Sequence, residues 1–142
     1  MRKEFLCSLP HVAFIMILKK ILHSQRRLQS YSFAGVKEKE WILDSLIRYI
    51  KVTGGPSGRE GLLVGLKSGQ VVKIFVDNPF PINLLKIGSA VRCLDLSASR
   101  KKLAVVDEHS TCLVYNLATK ELLFQVFFLR ISLFFFDVLP SA

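Results

Sequence analysis

Between Leu46 and Gln125 the chain alternates short apolar runs with polar turns, and the order of those runs occurs twice. Ile47-Arg48-Tyr49-Ile50-Lys51-Val52 lies over Val91-Arg92-Cys93-Leu94-Asp95-Leu96 at an offset of 44 residues. Leu63-Val64-Gly65-Leu66 lies over Leu103-Ala104-Val105-Val106, and Val71-Val72-Lys73-Ile74-Phe75 over Thr111-Cys112-Leu113-Val114-Tyr115, both at an offset of 40. The difference of four reads as one longer loop in the first copy, Thr53 to Gly61. Apolar, β-branched and aromatic residues in short alternating runs between turn residues predict strands. A repeat of about 40–45 residues made only of short strands has the period of a propeller blade.

The first copy predicts strands over Leu46 to Val52, Leu62 to Leu66, Val71 to Val76 and Ile82 to Ile87. The second predicts Ala90 to Leu96, Leu103 to Val106, Thr111 to Tyr115 and Lys120 to Gln125. Gly69 falls where a tight hairpin calls for positive φ, and at an offset of 40 His109 takes that place in the second copy. Asp77-Asn78-Pro79-Phe80-Pro81 forms a turn that its prolines keep out of a central strand. Lys86 on the following strand is the kind of charge that blunts a sheet edge.

The flanks follow other patterns. Residues 1–32 hold a greasy run from Phe5 to Leu18, closed by Lys19-Lys20, and predict an amphipathic or partly buried helix from about Val12 to Leu28. The basic start resembles a secretory signal, but Glu4, Pro10 and His11 oppose one, and the run is shorter than the ~20 apolar residues that cross a bilayer. A mitochondrial-type presequence is a minor alternative, on Arg26, Arg27 and the serines after them. Residues 33–45 read as a polar linker, with Trp41 to Ser45 either the last strand of an earlier blade or a helical turn. Residues 46–88 and 89–125 are the two blades. Residues 126–142 carry five phenylalanines and no proline before Pro140, an aggregation-prone profile where a third inner strand is expected. The fold class predicted is mainly β: two propeller blades, an N-terminal helix, and ends foreign to the repeat, as in a truncated or alternatively spliced product.

Composition changes the picture little. The chain has 142 residues, one ordinary domain and fewer than a closed propeller of about four blades needs. Half of it is hydrophobic and the mean hydropathy is +0.38. The net charge of +9 suggests an acidic partner, yet residues 1–40 alone hold eight Lys/Arg against three Glu. In the repeats the charges stand singly, which suits solvated strand faces better than a nucleic-acid groove. Arg100-Lys101-Lys102 is one cluster in one turn, a solvated surface.

Catalytic chemistry has no candidate residues. Cys7, Cys93 and Cys112 are odd in number with no metal-ligand spacing; the last two sit in apolar strands as small buried hydrophobes, which fits a reducing compartment. Gly54-Gly55-Pro56-Ser57-Gly58 lacks the GK[ST] and the helix of a phosphate loop. No Asp/Glu pair, Ser–His–Asp set or Cys–His set assembles, so no catalytic, cofactor or metal residue is nominated and an enzyme is the weakest reading.

The repeats resemble degenerate WD40 blades. Leu63 to Val76 follows that family's strand, Gly-containing turn and strand, and Phe75-Val76 and Tyr115-Asn116 stand where it often has Trp-Asp. Neither copy has the Gly-His pair of the family's buried His–Asp hydrogen-bond network. More narrowly, Phe33-Ala34-Gly35, Trp41, Ser45 to Val52, Gly58 to Lys67 and Ser97 to Glu108 resemble WD-repeat subunits of intraflagellar transport complex A. The resemblance covers Phe33 to Gln125 and neither 1–32 nor 126–142. It implies a non-enzymatic scaffold without cofactors, in retrograde ciliary transport and cilium assembly, located at cilium, basal body and cytoplasm. Its implied partners are other complex A subunits and ciliary cargo proteins, with no nucleic acid. The alternatives are a small membrane-associated protein held by its two hydrophobic ends, or an inert truncated isoform.

Overall fold

The computed structural model describes residues 5–6, 12–15, 19–32, 34–56 and 58–127, with side chains from Gln25 onward. Among these every element is a strand, and the strands form three consecutive antiparallel sheets in chain order. The first holds β1 (Phe5–Leu6), β2 (Val12–Ile15), β3 (Lys19–Ser24), β4 (Arg27–Ser32) and β5 (Lys37–Ile42). The second holds β6 (Ile47–Gly54), β7 (Gly61–Leu66), β8 (Gln70–Phe75) and β9 (Ile82–Lys86). The third holds β10 (Val91–Leu96), β11 (Lys102–Asp107), β12 (Thr111–Asn116) and β13 (Leu122–Phe127).

The two repeats are therefore blades, and a further sheet precedes them. The helix expected from Val12 to Leu28 is instead three strands. β3 and β4 pair directly, Lys19 with Ser32 through Ser24 with Arg27, around a turn at Gln25-Arg26 where Gln25 has φ 51°. Polar pairs that would make one face of a helix close a hairpin here. The linker expected from 33 contains β5, which makes Trp41-Ile42 the end of a strand of the earlier blade. Lys37-Glu38-Lys39-Glu40 hides that strand in the sequence, because an outer strand leaves most of its side chains in water. Val126 and Phe127 belong to β13, not to the tail, and residues 128–142 lie outside the described residues.

The second and third blades superpose at a different offset from the one the sequence suggests. Leu66 pairs with Ile47 as Asp107 pairs with Val91, and Val64 with Val72 as Val105 with Leu113. Leu66 thus corresponds to Asp107, at 41 residues rather than 40. β6 is two residues longer than β10 and the loop after it one longer, which together bring 44 down to 41. The counterpart of Gly69, φ 90°, is Ser110, φ 64°, and not His109; the counterpart of Phe75 is Asn116, and not Tyr115.

Blades pack face to face. Leu62, Val64, Leu66, Val72 and Ile74 form one core with Leu28, Trp41 and Leu43 of the first blade and its exit. On the other face Leu63 and Val71 join Val91, Leu94, Leu103 and Val105 of the third blade. Every residue of β7 is consequently buried. The third core, Ala104, Val106, Cys112 and Val114 with half-buried Cys93 and Phe124, belongs to the far face of the last blade. Burial raises the thiol pKa of Cys93 and Cys112. Both are free thiols, while Cys7 lies outside the described residues.

Candidate interaction surface

Among the described residues, polar contacts gather where the link into an inner strand meets a hairpin. Each inner strand is entered through a short link, and that link meets the hairpin of its own blade. Lys67 N–H donates to Leu46 O at 2.8 Å in the second blade, as Glu108 N–H does to Ala90 O at 3.0 Å in the third. Ser45 and Ser89 stand 44 residues apart at the start of these links. Ser45 Oγ accepts the Ser68 N–H at 3.1 Å. Ser89 Oγ instead donates to Asp107 Oδ2 at 2.8 Å.

Asp107 closes the hairpin from below. It is 7% exposed, and its Oδ1 accepts the N–H groups of His109 and Thr111, both at 2.9 Å. Burial opposes its charge, but the bonds from Thr111, Ser89 and His109 outweigh burial and hold the carboxyl below the usual aspartate value. The absence of a Gly-His pair does not leave the third blade without this network: Gly88-Ser89 supplies the donor. Sequence reasoning missed both residues, because a serine in a turn and an aspartate at a strand end carry no spacing signal. His109 is exposed at the hairpin tip, its Nε2 3.8 Å from Glu108.

Further bonds tie the blades together. Trp41 Nε1 donates to Asn78 O at 2.9 Å, linking the first blade to the second. Lys51 and Asp95, equivalent positions on the neighbouring inner strands β6 and β10, form an ion pair at 3.2 Å. Arg100 Nη2 donates to Thr53 O at 2.7 Å, and Lys120 Nζ to Leu84 O. Arg100 and Lys120 both have positive φ, near 60°, at turns of the third blade. Arg100 is therefore an interblade tether, which the sequence reading of its basic triplet as plain surface did not foresee.

What this arrangement offers chemically is shape and polarity. Two open clefts among the described residues lie on different blades: one of about 520 Å³ on the second is lined by Pro56, Arg59, Phe75, Asp77, Asn78 and Pro79, with Arg59 and Asp77 paired at 3.1 Å. The other, about 560 Å³, lies over Gln25, Arg26, Arg27, Gln29 and Ile42 of the first. Among the described residues no group of three His, Cys, Asp or Glu is placed to hold a metal, and no helix is long and apolar enough to cross a membrane.

Successive antiparallel blades of four and five strands, packed through apolar faces and tied by hydrogen bonds, define part of a β-propeller. The chain belongs to the IFT122 second beta-propeller family, whose model matches residues 1–130. It is similar to the intraflagellar transport protein 122 homolog of Homo sapiens, 68% identical over 123 residues, and to that of Xenopus tropicalis, 67% identical over 123. The homolog of Danio rerio is 58% identical over 125 residues. In each case the match covers 87% of this chain and 10% of the relative, so the chain spans a tenth of the length of these curated relatives. The family match starts at residue 1, which corrects the expectation that residues 1–32 are foreign to the repeat; their strands belong to the same propeller sequence.

Proposed function

We propose that this chain is a non-enzymatic protein-interaction scaffold, part of the propeller of a subunit of intraflagellar transport complex A, acting in retrograde ciliary transport and cilium assembly. The observation that carries the reading is the family match over residues 1–130 together with blades that bury their sheet faces and leave turns and outer strands in solvent. Such a frame binds by presenting rigid edges and loops. The partners are other complex A subunits and, through them, ciliary cargo, at the cilium, its basal body and the cytoplasm. Co-precipitation of this 142-residue chain with complex A subunits, beside the full-length subunit, tests the reading. Recovery of the same subunits supports it, and their absence from the short chain alone marks an inert piece.

A further inference from the structure

β4 and β5 bury one face and keep the other polar. Leu28 and Trp41, paired across the ladder, belong to the core shared with the second blade. Side chains alternate along a strand, so the flanking pairs, Arg27 with Ile42 and Gln29 with Glu40, stand on the opposite face. At the β3–β4 turn Arg26 joins them. Gln25, Arg26, Arg27, Gln29 and Ile42 line one cleft of about 560 Å³, so these side chains share a single space. Its lining holds two guanidinium groups and no carboxylate, with Ile42, 63% exposed, as the apolar wall.

Hydrogen bonds fix those walls. Arg26 O accepts the Leu43 N–H at 2.8 Å and Arg26 Nε donates back to Leu43 O at 2.9 Å, so one residue holds both its backbone and its side chain. Gln25 O accepts the Ile47 N–H at 2.7 Å, which ties the turn to the link into the second blade. Arg27 Nε pairs with Glu40 Oε1 at 3.0 Å, and Gln29 Nε2 donates to the same oxygen at 3.0 Å. Both arginine contacts are made through Nε. A guanidinium carries four further N–H groups on its terminal nitrogens, in a planar fork that matches a carboxylate.

We propose that this cleft binds an extended segment of a partner protein carrying an acidic side chain and, two residues away, a large apolar one. Residues two apart on an extended chain point to the same side, so the acid meets Arg26 and Arg27 while its neighbour packs on Ile42. The volume lies within the roughly 300–1,000 Å³ of ordinary ligand sites. Glu40 already shares Arg27, which leaves the cleft a charge suited to a carboxylate and not to a doubly charged phosphate. The inference rests on the scaffold reading only for the claim that the ligand is a protein. Complex membership is read by co-precipitation and the cleft by peptide titration, so the two fail separately.

The test is fluorescence anisotropy of the full chain with a labelled peptide, Ser-Glu-Ser-Leu-Ser, at moderate ionic strength. Saturable binding is expected, weakened about tenfold by Arg26→Ala or Arg27→Ala, as truncating one charged hydrogen-bonding partner does. Ile42→Ser weakens it less, and Lys86→Ala, an exposed cation on the outer strand β9, leaves it unchanged. Changing the peptide instead, Glu to Gln or Leu to Ser, weakens binding to the unaltered chain, and this arm stands even where an arginine variant does not fold. Equal weakening by Lys86→Ala would reduce the effect to net charge and overturn the proposal. So would insensitivity to either change of the peptide, tighter arginine-dependent capture of a phosphoserine peptide, or no saturable binding.

Discussion

Ser89 Oγ donates to Asp107 Oδ2 at 2.8 Å, joining the link that enters the third blade to the hairpin that closes it. Forty-four residues earlier Ser45 makes the same connection with its polarity reversed, accepting from the Ser68 N–H at 3.1 Å. The difference follows from one position. Where the third blade has Asp107 the second has Leu66, 1% exposed and part of the core shared with the first blade. A carboxylate calls for donors; a leucine at that strand end leaves the serine to satisfy the backbone instead.

Asp107→Ala removes the acceptor for three hydrogen bonds and should destabilise the chain by about 2 kcal/mol. Ser89→Ala removes one of them and should cost about 1 kcal/mol. Chemical denaturation of both variants and of the double variant measures it. A double-variant loss no larger than that of Asp107→Ala alone shows that the two act as one unit.

The same carboxyl gives the fold an acid limit. Its pKa is lowered in the folded state, so the unfolded chain binds more protons in acid. The stabilisation is present above the ordinary aspartate value of about 4 and is lost as pH falls through the depressed folded value. Glu40 is lowered too, by hydrogen bonds from Lys37 and Gln29, so the reading must be differential. The stability gap between the native sequence and Asp107→Asn should be widest near neutrality and shrink as the solution is acidified; a gap that does not narrow contradicts the assignment.

Gly65 lets the second and third blades approach. A Cβ there would stand 2.3 Å from Val91 Cγ1 and 2.8 Å from Val91 Cβ, closer than packed carbons come. Gly65→Ala should therefore cost about 1–3 kcal/mol, the usual penalty of overpacking. Val91→Ala should cost stability on its own and yet partly rescue Gly65→Ala, a coupling that thermal denaturation of the four proteins in the cycle reads directly.

Trp41 ties the first blade to the second by two means, packing and its Nε1–H bond to Asn78 O. Trp41→Phe keeps most of the packing and should cost about 1 kcal/mol, while Trp41→Ala should cost about 3–5 kcal/mol. Equal losses would mean that the hydrogen bond, not the buried ring, dominates.

The eight strands from Ile47 to Phe127 were legible because turn chemistry and β-branched alternation recur between them. Their exact superposition was not. β7 is buried on both faces, so Leu62-Leu63-Val64-Gly65-Leu66 shows no alternation to anchor it, and a slip by one residue leaves the pattern unchanged. The first blade was hidden for the opposite reason: β5 is mostly solvated, and its alternating lysines and glutamates read as linker until the core shows Trp41 beneath them. The polar network at Asp107 had no legible signal, since a serine in a link and an aspartate at a strand end 18 residues later follow no spacing rule. Arg48 and Arg92 were visible as a repeated Arg in the inner-strand pattern, but only the ladders show that each is the extra residue of a bulge.

Leu28, Trp41 and Leu43 share a core with β7 and β8, and this sets where the molecule can be cut. An expression fragment begun at residue 46, at the apparent start of the repeats, would lay Leu62, Val64 and Ile74 open to water along a whole sheet face. Protease trimming or exon choice that respects the repeat period would thus yield a product prone to self-association, whereas a cut upstream of β4 spares that face.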